Sequence, residues 1–138
     1  MNMPVQQALA KYGAVKVTTA NPGQILVMLY DGLLRFLREA SDAMTARQRG
    51  RCGERISRSM AIVRQLLSDL DPTYAPELCQ NLRALYLFCI QHLLSANIEQ
   101  NPAKVEDVIR VLTPLRDAWV DAVAQTARRA PVLVSVSR

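Results

Sequence analysis

Apolar residues recur at three- and four-residue spacing along most of the chain, and the breaks in that rhythm fall on proline, glycine and asparagine. Ile25, Leu29, Leu33, Phe36, Leu37 and Ala40 share one face of an amphipathic helix that runs to about Ala46. It opens at Asn21-Pro22-Gly23-Gln24, where Asn21 can cap, Pro22 suits the first helical position and Gln24 stands where a capping-box partner belongs. Gly50 and Gly53 then interrupt the pattern inside an arginine-rich connection. A second helix sets Ile56, Met60, Val63, Leu67 and Leu70 on one face, until Asp71-Pro72 and Pro76 break it.

A third helix carries Leu78, Leu82, Leu85, Cys89, Leu93 and Ala96, with Asn97 near its end. Leu87, Ile90 and Leu94 widen its apolar surface beyond the three residues in seven that a bundle helix buries. Either this helix is central, or it offers an apolar groove to a partner. Asn101-Pro102 opens a fourth helix by the same cap-and-proline device. Val105, Val108, Leu112, Leu115, Trp119 and Val123 form its apolar face, Pro114 is a kink site, and Arg129-Ala130-Pro131 is its expected end. Four helices of about twenty residues with short connections predict an all-α, antiparallel four-helix bundle. Residues 1–20, with a short helix around residues 4–12, read as an N-terminal arm. Residues 21–128 form one helical domain, and 129–138 read as a flexible tail.

Composition narrows the function classes. The chain has 138 residues, half of them hydrophobic and 21% charged. That length buries roughly two-thirds of the unfolded surface, so a core forms without disulfides or metal. Aromatics are only 5%, which favours helices over a sandwich or barrel. No apolar stretch approaches the roughly 18 residues that span a bilayer, so no membrane insertion is expected. The first residues lack a signal-peptide pattern, and three unpaired-looking cysteines, Cys52, Cys79 and Cys89, suit a reducing cytoplasm.

Charge is the open feature. Seventeen Lys and Arg against 12 Asp and Glu leave +5, and the pI is near 9.5. Five arginines, Arg47, Arg49, Arg51, Arg55 and Arg58, cluster in the connection between the first two helices. They suggest phosphate contacts and a basic nucleic-acid-binding module, or a solvated turn. No aromatics interleave them as a stacking platform requires, and acids on the other helices dilute the field, so nucleic acid is not the expected partner. Catalysis finds no foothold. His92 is the only histidine and reads as a helix-surface or boundary residue. A di-metal bundle site needs Glu-x-x-His pairs, and neither a phosphate-cradling glycine loop nor a nucleophile elbow is present. The chain is therefore expected to be a non-enzyme without cofactor or metal.

Two residues keep alternative readings. Gly32, inside Tyr30-Asp31-Gly32, costs a helix about 1 kcal/mol relative to alanine. It marks a close approach, by a neighbouring helix or the arm, or by a partner segment. Trp119 is either a core anchor or an interface residue.

The run Thr19-Ala20-Asn21-Pro22, then Met28-Leu29-Tyr30-Asp31-Gly32 and Phe36, resembles the flagellar secretion chaperone FliS family. Further matches follow in order: Ser68-Asp69-Leu70-Asp71, Asn81-Leu82 with Leu85-Tyr86, Leu93 with Ala96-Asn97, and Leu115-Arg116-Asp117-Ala118-Trp119. Tyr12 stands seven residues before Thr19, as in some relatives. The resemblance implies a cytoplasmic chaperone that holds the disordered C-terminal segment of flagellin, prevents premature polymerisation and assists delivery to flagellar export apparatus components. It also implies an N-terminal arm, with Tyr12, that lies over part of the client site. The expected partner-binding residues are Tyr12, Tyr30, Asp31, Gly32, Leu87, Ile90 and Leu94, and an exposed groove also allows weak homodimers.

Overall fold

A computed structural model describes residues 22–137, with side chains to Thr126; Tyr12 and the N-terminal arm lie outside the described residues. Four helices follow one another: α1 Pro22–Thr45, α2 Arg49–Ser68, α3 Pro76–Glu99 and α4 Pro102–Ser137. Each packs on its sequence neighbours, and α4 closes the ring onto α1. This is the expected four-helix bundle.

Three helices start on proline, at Pro22, Pro76 and Pro102, where the missing N–H has no intrahelical acceptor to lose. Asn101 caps α4 as expected, its Oδ1 accepting from the Ala103 N–H at 3.0 Å. Two stops come from residues other than glycine. Arg47 has φ 59°, and the Arg47 and Gln48 N–H groups donate back to Met44 and Ala43 at 3.1 and 2.8 Å. That is the hydrogen-bond pattern of a Schellman stop. Gln100, at φ 52°, ends α3 the same way, with the Asn101 N–H donating to Ala96 at 3.0 Å.

Two expectations are corrected. The arginine-rich stretch is not an extended connection: α2 begins at Arg49 and takes in Gly50 and Gly53. Only Arg47 of the five arginines lies between helices; Arg49, Arg51, Arg55 and Arg58 are helical. The glycines cost about 1 kcal/mol each, but the first turns bury Cys52 and Ile56 almost completely, and that burial is of the same size or larger. The backbone of α4 also runs through Pro131 to Ser137, past the expected end. A proline removes its own N–H bond, and this helix already absorbs one at Pro114.

The core joins all four helices. Leu33 and Leu37 from α1, Ile56 and Val63 from α2, Leu93 from α3, and Val105, Val108 and Leu112 from α4 are essentially inaccessible. Cys52 and Cys89 are buried thiols, and all three cysteines are free. Burial pushes the Cys89 thiol up to about 12.

Candidate partner-binding surface

The conspicuous triplet in α1 sends its three residues to three different places. Tyr30 is fully buried, and its hydroxyl shares a short hydrogen bond with that of Tyr86 on the diagonal helix α3. Burial raises the pKa of both phenols, against the lowering effect of the Tyr86 hydroxyl on Tyr30, while the Tyr30 hydroxyl raises that of Tyr86 further. The Trp119 indole N–H approaches the Tyr30 hydroxyl, close enough to favour its ionised form. It stops short of a hydrogen bond and is buried without a partner. Trp119 is thus packed against the core. Tyr30 belongs to the interior and presents nothing to an incoming chain.

Asp31 is exposed and clasps α4: Arg116 Nε and Nη2 donate to its two carboxylate oxygens at 2.7 and 3.4 Å. That pair raises the Arg116 pKa. Gly32 meets open space, since a Cβ placed there would find no atom within 4 Å among the described residues. No neighbouring bundle helix crosses at Gly32, which leaves the arm and a partner as the readings.

The surplus apolar residues on α3 separate cleanly. Leu82, Tyr86, Cys89, Leu93 and Ala96 form the buried row. Ile90 is half-buried beside it and packs on the core. Leu87 and Leu94, 39% and 43% exposed, lie on the opposite side together with Ile98, which is 81% exposed. Their spacing of seven and four residues aligns them in one stripe about 16 Å long. The sequence reading missed Ile98, although its distance from Leu94 was the available signal. It also placed Leu78 on the core face, but Leu78 sits in the first turn of α3, where that row reaches solvent, and is 50% exposed. On the other flank Phe88 stacks on His92, with ring centroids 4.8 Å apart. His92 Nε2 lies 3.0 Å from Asp107 Oδ2, and Arg110 holds the other Asp107 oxygen. His92 is the boundary residue expected, tying α3 to α4.

The arginines of the α1–α2 corner are partly engaged within the bundle. Arg55 pairs with Glu39 at 2.7 Å and also with Glu54. Arg58 approaches Glu54 at 3.6 Å, and its guanidinium and that of Arg35 lie over the Phe36 ring, at 5.8 and 5.3 Å from its centroid. A cavity of about 550 Å³ opens elsewhere, between the end of α2, the following loop and the first turns of α3. Among the described residues no three His, Cys, Asp or Glu side chains gather as a metal cluster, and no helix is long and apolar enough to cross a membrane.

A helical bundle that keeps an apolar stripe in solvent, backed by a closed core, has the kind of surface that helical binding modules present. Comparison with known proteins says which kind. Residues 5–126 match the family described as "Flagellar protein FliS". The chain is 31% identical over 121 residues to the flagellar secretion chaperone FliS of Bacillus subtilis (strain 168), covering 88% of this chain and 90% of that protein. It is 34% identical over 118 residues to the flagellar secretion chaperone FliS of Escherichia coli (strain K12), with 84% and 87% covered. The flagellar secretion chaperone FliSB of Pseudomonas aeruginosa is 29% identical over 121 residues. The chain belongs to the FliS family of flagellar secretion chaperones.

Proposed function

We propose that this protein binds the disordered C-terminal segment of flagellin, keeps it from polymerising, and hands it to the flagellar export machinery. The observation that carries this reading is the solvent-facing stripe Leu87, Leu94 and Ile98 on a helix whose opposite side is fully committed to the core. A soluble monomer gains nothing from three large apolar residues aligned in water. A disordered client that becomes helical on binding must recover its ordering entropy, and an aligned apolar row on a rigid helix supplies that by burial.

Titration calorimetry with the C-terminal segment of flagellin tests the reading. Binding should carry a negative heat-capacity change from apolar burial. Leu94→Asp and Ile98→Asp should each weaken it by about tenfold or more, because either places a charge in the interface core. Both positions are exposed, so the melting temperature should hardly move. No heat at micromolar concentrations, or full affinity in both variants, overturns the assignment.

A further inference from the structure

The 550 Å³ cavity has an unusual combination of walls. Leu67, Leu70, Pro72 and Pro76 contribute apolar carbon, while Arg64 from α2 and Arg83 from α3 are exposed on the same cavity. Neither arginine has an ion-pair or hydrogen-bond partner among the described residues. Of the acids closest in sequence to the cavity wall, Asp69, Asp71 and Glu77, none lines it, and two are turned to other tasks. Asp69 Oδ1 accepts from Gln65, and Asp71 Oδ1 accepts from the Thr73 N–H. Two uncompensated guanidiniums beside apolar carbon complement a carboxylate flanked by apolar groups, as at an apolar chain end.

The cavity also continues the apolar stripe. Pro76, Arg83, Leu87, Leu94 and Ile98 fall on one row of α3, about 33 Å long. The row stops at Pro76, the first residue of the helix, so a client helix that follows it runs out at the cavity. Resting on the flagellin reading above, we propose that this cavity receives the C-terminal carboxylate of the client, which therefore lies antiparallel to α3. The end of a helix offers unpaired carbonyls, the negative pole of its dipole and the terminal carboxylate together. Arg64 and Arg83 can donate to all three. In the reverse orientation they would face the positive pole.

The test compares the flagellin C-terminal segment as free acid and as C-terminal amide, against the unaltered chain and the Arg64→Gln, Arg83→Gln double variant, by calorimetry. The amide should bind about tenfold more weakly than the acid. The double variant should weaken the acid far more than the amide, bringing the two peptides to nearly equal affinity. Equal affinity of acid and amide for the unaltered chain overturns the proposal. A variant that weakens both peptides equally also overturns it, because the arginines would then read an internal Asp or Glu. Absence of binding by either peptide removes the flagellin reading itself, and this one with it.

Discussion

Among the described residues, the hydrogen bond between Tyr30 and Tyr86 is the one polar link across the diagonal between α1 and α3, and its removal has a definite cost. Tyr86→Phe leaves the Tyr30 hydroxyl buried without a partner, because both residues are at most 2% exposed. Leaving one such group unsatisfied costs about 1–3 kcal/mol. Tyr30→Phe orphans the Tyr86 hydroxyl and also strips the already unpartnered Trp119 N–H of its nearest oxygen. It should therefore be the more damaging single change. The double variant removes both hydroxyls and leaves only Trp119 wanting, so it should cost no more than Tyr30→Phe alone. The coupling energy expected from urea unfolding of the four proteins is about 1–2 kcal/mol. In a bundle of this size each kcal/mol moves the melting temperature by roughly 3–6 °C. If the double variant costs the sum of the singles, to within about 0.5 kcal/mol, the two hydroxyls contribute independently and the diagonal bond is not a stabilising unit.

Two more predictions follow from burial and from open space. Cys89 ionises from its ordinary 9.0 at about 12 in the folded chain, and Tyr30 and Tyr86 are both raised above 10.0. All three are raised, so their contribution is complete below pH 9 and is lost as the pH climbs towards the folded values. Unfolding free energy should fall from pH 9 by about 1.4 kcal/mol per unit for Cys89, and more steeply above pH 10. The Tyr30→Phe, Tyr86→Phe variant should lack the steeper part, and flat stability between pH 9 and 11 would contradict the assigned burial. Gly32→Ala places a methyl in unoccupied space on a regular helix, so thermal unfolding should show a gain of about 0.5–1 kcal/mol. A loss instead would mean that a segment outside the described residues rests on that glycine.

Helix starts were legible where asparagine precedes proline, at Pro22 and Pro102, whereas Pro76, which opens α3, read only as a break after the second helix. The start of α2 was not legible, because Gly50, Gly53 and four arginines read locally as a connection. The burial of Cys52 and Ile56 against other helices overrides that propensity, and the left-handed stop at Arg47 uses a residue with no turn signature. Tyr30, Asp31 and Gly32 could not be sorted from sequence for a related reason. Tyr30 is defined by a partner 56 residues away and Asp31 by one 85 residues away, and neither distance has a local pattern. The excess of apolar residues on α3 was readable by counting. Which of them face water required knowing that Tyr86, Cys89 and Leu93 point inward.

Charge, which the sequence concentrates in one arginine cluster, divides along the architecture. Residues 22–68, essentially the α1–α2 hairpin, hold eight arginines and four acids, a balance of +4. Residues 69–126 hold four basic residues and eight acids, a balance of −4. The bundle to Thr126 is therefore neutral overall, and the excess is carried by Lys11, Lys16, Arg128, Arg129 and Arg138. A high pI here does not describe a basic binding face, and within the basic hairpin Glu39 and Glu54 already engage Arg55 and Arg58. The apolar stripe belongs to the acidic half, while the cavity at its end draws Arg64 from the basic half and Arg83 from among the few cations of the acidic one. A helix settling on the stripe meets no acid of α3 between Gln80 and Ile98, and at one end it meets Arg64 and Arg83. On the proposal above, that end is the one suited to the client's carboxylate, at the seam between the two hairpins.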